Sequence, residues 1–78
     1  MQVVELYPGV VTDPQILGGK PVIKGTRVPV SLVLGKVAGG MSIDEVRDEY
    51  YLTDEGIRAA LGYAAQQVEQ DTIVVTQQ

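Results

Sequence analysis

The chain has 78 residues, ten acidic and six basic side chains, a net charge of −4, and neither histidine nor cysteine. A single domain of this length buries only about 60% of the surface of its unfolded chain, so we expect one thin core within residues 1–78 and stabilisation by homodimerisation. The composition excludes disulfides, thiolate nucleophiles, imidazole bases and the commonest zinc ligands, and the sequence shows no signal peptide or membrane span. We therefore expect a cytoplasmic protein with no catalytic residue, metal or cofactor.

The first part of the chain, residues 1–29, predicts short strands separated by turns. Val10-Val11 and residues 21–23 are short β-branched runs, and Gly18-Gly19 between them can supply the positive φ angles of a hairpin turn. We therefore expect an N-terminal β-hairpin. A lone hairpin is only marginally stable in water, so it must pack on helices or on a second subunit.

Beyond Pro29 the apolar spacing becomes helical. Residues 32–38 contain the apolar stripe of a short first helix, and Gly39-Gly40 supplies its stop. A second helix begins after Ser42, which forms a capping box with Glu45. The predicted apolar stripe of this second helix consists of Ile43, Val46 and Tyr50.

The third predicted helix is capped by Thr53 and runs to about Glu69. Only about three residues, 51–53, separate it from the second helix, which is typical of a helix-turn-helix. The fold class expected for residues 30–69 is therefore a mainly α, homeodomain-like three-helix bundle, preceded by the hairpin. The tail, residues 70–78, has strand character over 72–76 and is expected to pair with Val3-Val4 or with a partner chain. The apolar stripe of the third helix consists of Ile57, Ala60, Leu61, Ala64 and Val68.

The opposite face of the third helix carries unusually small residues. Glycine in a helix interior costs about 1 kcal/mol relative to alanine, so Gly62 calls for an explanation. One interpretation is that Ala59, Gly62 and Tyr63 form an interface that a partner approaches closely. The other is that Gly62 is merely tolerated on an exposed helix.

Charge is distributed unevenly along the chain. Residues 1–40 carry four basic and two acidic side chains, a net charge of +2, whereas residues 41–78 carry two basic and eight acidic ones, a net charge of −6. DNA binding would draw on the basic half and on polar residues of the third helix. The first turn of that helix, however, carries Asp54 and Glu55, which oppose DNA. The candidate DNA-binding residues are Lys20, Lys24, Arg27, Arg58, Tyr63 and Gln66.

Two other patterns have structural interpretations. The glycines and lysines of residues 18–27 lack the spacing of a phosphate-binding loop, so the glycines are expected to form turns. Arg27 is expected either to pair with a carboxylate of the second helix or to contact phosphate. The acidic side chains of residues 44–49 are expected to be solvated. The alternative is that they imitate a nucleic-acid backbone toward a basic partner.

Three runs, GGKPVIKGTRVPV (18–30), AGGMSIDEVRDEY (38–50) and LTDEGIRAALGYA (52–64), resemble the family of uncharacterised domains numbered 433 among the domains of unknown function. The resemblance covers roughly residues 10–68. It implies a homeodomain-like three-helix fold preceded by short strands, and many members are classed as VapB-like antitoxins encoded beside PIN-related toxins. The resemblance thus implies an antitoxin that neutralises a PIN-like ribonuclease toxin, with operator DNA as a further expected partner. The alternative is a stand-alone helix-turn-helix transcriptional regulator.

Overall fold

A computed structural model describes the backbone of residues 2–76 and the side chains of residues 2–70. The chain starts with a three-stranded antiparallel sheet in the order β1 (Val4–Tyr7), β2 (Val10–Thr12) and β3 (Val22–Ile23). Gly18 and Gly19 have the predicted positive φ angles, 65° and 86°, in the connection from β2 to β3. The predicted hairpin is therefore confirmed, and the sheet has one additional strand, β1.

Three helices follow the sheet: α1 (Val30–Ala38), α2 (Ile43–Glu49) and α3 (Asp54–Thr76). The predicted glycine stop ends α1, because Gly40 takes a φ of 110° that side chains disfavour. In this geometry the N–H groups of Gly40 and Met41 donate to the carbonyls of Val37 and Lys36, which completes a Schellman motif. The domain is thus mostly helical, with a small sheet at its N-terminal end, as predicted.

Both predicted helix caps are present. The Ser42 hydroxyl accepts from the Glu45 N–H at 3.1 Å, and the Glu45 carboxylate accepts from the Ser42 N–H at 2.9 Å. That second hydrogen bond lowers the pKa of Glu45. At the start of α3, the Thr53 hydroxyl accepts from the Gly56 N–H at 2.9 Å. Local side-chain chemistry therefore fixes where α2 and α3 begin.

The end of α3 differs from the prediction. The backbone stays helical to Thr76, so the predicted helix end near Glu69 and the predicted strand over residues 72–76 are both wrong. The physical reason is that no glycine or proline follows Gly62, so the helix meets no stop signal. The tail predicted over residues 70–78 extends past the described residues at Gln77 and Gln78. Within residues 2–76, no helix combines the length and the hydropathy needed to cross a bilayer.

The core lies where α3 packs on the sheet and on the two shorter helices. Three predicted members of the apolar stripes are exposed: Ala38 at the end of α1, Ile43 in the first turn of α2 at 44%, and Val68 at 61%. Val68 is exposed because α3 extends past the elements that cover its first half. The buried core consists of Val10, Ile23, Val30, Val33, Val46, Leu52, Ile57 and Ala60.

Candidate interaction surfaces

The small residues of α3 lie under the hairpin formed by β1 and β2. A Cβ atom added at Gly62 would come within 2.7 Å of the Cζ atom of Tyr7, which lies at the end of β1. One turn earlier, a Cβ added at Gly9, in the turn between β1 and β2, would lie 2.7 Å from the Cβ of Ala59. Both distances are well inside ordinary van der Waals contact. The close approach that the sequence indicated at Ala59 and Gly62 is therefore made by the same chain.

This packing changes the interpretation of the predicted partner interface. Ala59 and Gly62 are half-buried, and their small size is already explained by Gly9 and Tyr7. Tolerated drift on an exposed helix does not account for Gly62, because Gly62 is half-buried and an added Cβ would overlap Tyr7. Tyr63, the third predicted interface residue, lies in a different place, on the side of α3 that faces α1.

An apolar groove runs between α1 and the second half of α3. We call it the α1–α3 groove; its volume is about 340 Å³. Most of its surface is carbon, so it favours apolar groups of a ligand or partner. The apolar lining consists of Pro21, Val30 and Leu34 with Tyr63, Ala64 and Val68, and Lys20, Ser31 and Gln67 are its polar residues.

The second half of α3 projects from the body of the domain. Every side chain from Ala65 to Gln70 is exposed, and Val68 forms the outer end of the α1–α3 groove. The radius of gyration is 13.2 Å, whereas a compact chain of this length has about 11.5 Å. The α1–α3 groove and the projecting half of α3 together form a surface that can bind an apolar element of another protein.

The predicted DNA-binding side chains do not converge on one surface. Lys24 and Arg27 are brought together at a groove of about 350 Å³ along β2, and the Nζ atom of Lys24 lies 3.8 Å from the Glu5 carboxylate. The other four are elsewhere: Lys20 and Tyr63 line the α1–α3 groove, Arg58 lies beside Glu55 and Pro8, and Gln66 lies on the Tyr7 side of α3.

Arg47 organises the carboxylates at the junction of α2 and α3, a role that the sequence did not indicate. Its guanidinium lies 2.8 Å from Asp54, 3.0 Å from Asp48 and 3.3 Å from Asp44. Hydrogen bonds from Arg47 hold the pKa of Asp54 below its ordinary value, and the bonds to Asp48 and Asp54 raise the pKa of Arg47. Among the described side chains, Asp44 and Asp48 of α2 thus pair with Arg47, and the pairing of Arg27 with an α2 carboxylate is not formed.

The turn between α2 and α3 is short, as a helix-turn-helix requires. Tyr51 has a φ of 57°, which is unusual for a side chain of this size, and it is 93% exposed. The first turn of α3 presents Asp54 and Glu55. A recognition helix contacts base edges near its N-terminus, so these carboxylates disfavour insertion of α3 into a DNA groove.

Comparisons with known proteins agree with this architecture. A crystal structure of a DUF433 member protein from Anabaena variabilis superposes with a TM-score of 0.71 and 29% identity, covering 87% of this chain and 68% of that one. The crystal structure of Rv2018 from Mycobacterium tuberculosis gives a TM-score of 0.60 and 40% identity, covering 67% of this chain and 24% of that one.

A relative identified by sequence is also longer than this chain. The uncharacterised protein y4eO of Sinorhizobium fredii is 46% identical over 56 residues, which are 70% of this chain and 25% of that protein. The chain therefore spans about a quarter of the length of both y4eO and Rv2018. The model of the family described as "Protein of unknown function (DUF433)" matches residues 10–64, and the chain belongs to this family.

Proposed function

We propose that this domain is a non-catalytic protein-binding module, the antitoxin of a toxin–antitoxin pair, which binds a PIN-like ribonuclease through the α1–α3 groove and the projecting half of α3. The observation that carries the proposal is the apolar groove that continues onto an exposed helix. The identity of the partner rests on the family resemblance described above. The absence of histidine and cysteine from the sequence supports a role without catalysis.

The exposure of Val68 supports protein binding at this surface. Val68 follows Ala64 by one helical turn, and the two residues line the groove with Leu34 of α1. Burying the exposed part of the Val68 side chain would contribute roughly 1 kcal/mol to a complex. The rest of the affinity would come from the groove, where an apolar side chain of the partner would displace water from a carbon-rich surface.

The longer relatives are in keeping with protein binding by a domain of this fold. In proteins about three times as long, a domain of this fold shares its chain with additional residues that can pack against it. Surfaces that bind a neighbouring domain within one chain resemble those that bind a separate protein. The α1–α3 groove could therefore be occupied either by a neighbouring domain of the same chain or by a separate protein.

The test is co-expression with the product of the adjacent reading frame. We expect a stable complex, inhibition of the partner's ribonuclease activity, and at least tenfold weaker binding after Val68→Asp. Ile43→Asp is the matched control, because Ile43 is also an exposed apolar residue near a helix end but lies on α2, away from the groove. Two products that purify separately, or a complex that both substitutions weaken equally, would contradict the proposal.

Operator binding is the second candidate function, alone or in the complex. The observation in its favour is that Lys24 and Arg27, which follow β3, are both exposed and line the same groove. Binding to the protein's own upstream DNA should weaken steeply between low and physiological salt, and Lys24→Glu with Arg27→Glu should reduce the slope by about 2. Lys36→Glu, the same charge reversal at one site on α1, should leave the slope unchanged. Absence of binding at low salt would reject this role.

A further inference from the structure

Strand β1 has a free edge. It pairs with β2 on one side only, and no strand within residues 2–76 pairs with its other side. In an antiparallel sheet, alternate residues of an edge strand direct their N–H and C=O groups outward, where they can pair with another strand. The tail that the sequence predicted as a partner for Val3-Val4 is helical to Thr76 and does not cover this edge.

The edge lacks the usual protection against strand pairing. Natural edge strands carry lysine, proline or an unpaired charge, and residues 2–7 contain neither lysine nor proline. Their one charge, Glu5, already interacts with Lys24 and accepts the Gly9 N–H at 3.3 Å. The apolar side chains of Val3, Val4 and Leu6 are all exposed, and Val4 is 47% exposed.

A second exposed apolar surface adjoins this edge. Beyond Tyr7, the side of α3 that carries Leu61, Ala65 and Val68 borders an open depression of about 790 Å³. Because Tyr7 belongs to β1 and packs on Gly62 of α3, the strand edge and this side of the helix form one continuous surface. A partner that pairs with β1 would therefore lie beside α3 as well.

We propose that the β1 edge pairs antiparallel with the β1 edge of a second copy of this chain, with Val4 opposite Val4 across a two-fold axis. The axis at Val4 places each Glu5 opposite a Val3, whereas an axis at Glu5 would place two carboxylates opposite each other. An apolar run of this kind is complementary to itself, as a two-fold interface requires. The two sheets join into one of six strands, and both α3 helices lie on the same face of it.

The two-fold axis also explains why a second copy fits this edge. In an antiparallel pair, the axis is perpendicular to the sheet, so the surfaces beside Tyr7 on the two α3 helices approach each other. The sides of α3 that carry Leu61 and Ala65 would then face each other across the axis, and the α1–α3 groove would stay open. Strand pairing and helix contact thus bury the two exposed apolar surfaces in a single interface, which a domain with a thin core needs.

Light scattering coupled to size-exclusion chromatography tests the proposal. The wild-type protein should elute with twice the chain mass of 8.4 kDa. Val4→Lys places two ammonium groups opposite each other and should raise the dissociation constant at least tenfold. Ile43→Lys is the control, because Ile43 has nearly the same exposure as Val4, 44% against 47%, but lies on α2. Circular dichroism of both variants reports whether they remain folded.

A cysteine variant keeps the proposal testable if Val4→Lys does not fold. The chain contains no cysteine, so Val4→Cys introduces a single thiol. Side chains directly opposite across an antiparallel pair have Cβ atoms about 4.5–5.5 Å apart, and mild oxidation should link the two copies covalently. Ile43→Cys should give no such product. A wild-type mass of 8.4 kDa at millimolar concentration, or a dimer that neither Val4→Lys dissociates nor Val4→Cys links, would overturn the proposal.

Discussion

Gly62→Ala tests whether the packing of β1 on α3 requires glycine at position 62. In a helix interior, glycine to alanine ordinarily stabilises a protein by about 1 kcal/mol. Here the added Cβ would lie 2.7 Å from the Cζ atom and 2.8 Å from the Cε2 atom of Tyr7. Carbon atoms in contact are normally separated by about 3.5–4.0 Å, so the ring or the helix must move by nearly 1 Å.

The two effects of Gly62→Ala oppose each other. Overpacking of this kind costs about 1–3 kcal/mol, which exceeds the gain in helix propensity. We expect the free energy of unfolding to fall by about 1 kcal/mol. Gly35→Ala is the matched control: Gly35 lies within α1, and nothing beyond its own helix lies within 4 Å of the added Cβ. That substitution should raise the free energy of unfolding by about 1 kcal/mol.

Urea denaturation followed by circular dichroism measures both variants at one protein concentration. With a slope of about 1 kcal/mol per M for a domain of this size, the midpoints should shift by about 1 M in opposite directions. The Tyr7→Leu background removes the atoms that the new Cβ would meet, so Gly62→Ala should become stabilising there. Equal stabilisation by Gly62→Ala and Gly35→Ala in the wild-type background would refute the packing argument.

Three further predictions concern the turns and caps. The pKa of Asp54 is lowered in the folded state, so Asp54 contributes fully to folding stability above its unfolded pKa of about 3.9, and this contribution is lost as the pH falls through the folded pKa. Arg47→Met removes the cause of the lowered pKa, so the urea midpoint of this variant should fall less below about pH 4. Tyr51→Gly should raise the melting temperature by several degrees, because it relieves about 1–2 kcal/mol of left-handed strain at φ 57° and loses little buried surface. Ser42→Ala should lower the free energy of unfolding by about 1 kcal/mol, and an unchanged urea midpoint would argue against the capping box.

Features that depend on neighbouring residues were predictable from the sequence. The cap pairs at Ser42 and Thr53 bond within three residues, and the glycine stop after α1 depends on the conformation of Gly40. These local signals set the starts of α2 and α3 and the end of α1. They also account for the three-helix order and the short turn, without reference to tertiary packing.

Features that depend on contacts distant in sequence were not predictable. Tyr7 meets Gly62 across 55 positions, so the function of the glycine could not be deduced from the helix alone. Strand character over residues 72–76 came from β-branched side chains, but this preference was weaker than continuation of a helix without a stop signal. The role of Arg47 was hidden for a similar reason, since its closest carboxylate, Asp54, belongs to the next helix.

The β1–β2 hairpin also limits which faces of α3 are open to a partner. In the bare three-helix unit, the face of α3 that carries Ala59 and Gly62 would be open to solvent, and this is where a DNA groove could approach. Here Gly9 and Tyr7 occupy that face, and the first turn of the helix is acidic. DNA could reach the Ala59 and Gly62 face of α3 only if this hairpin were displaced. The α3 side chains from Ala65 to Gln70 have no such cover, and the apolar Val68 among them is exposed.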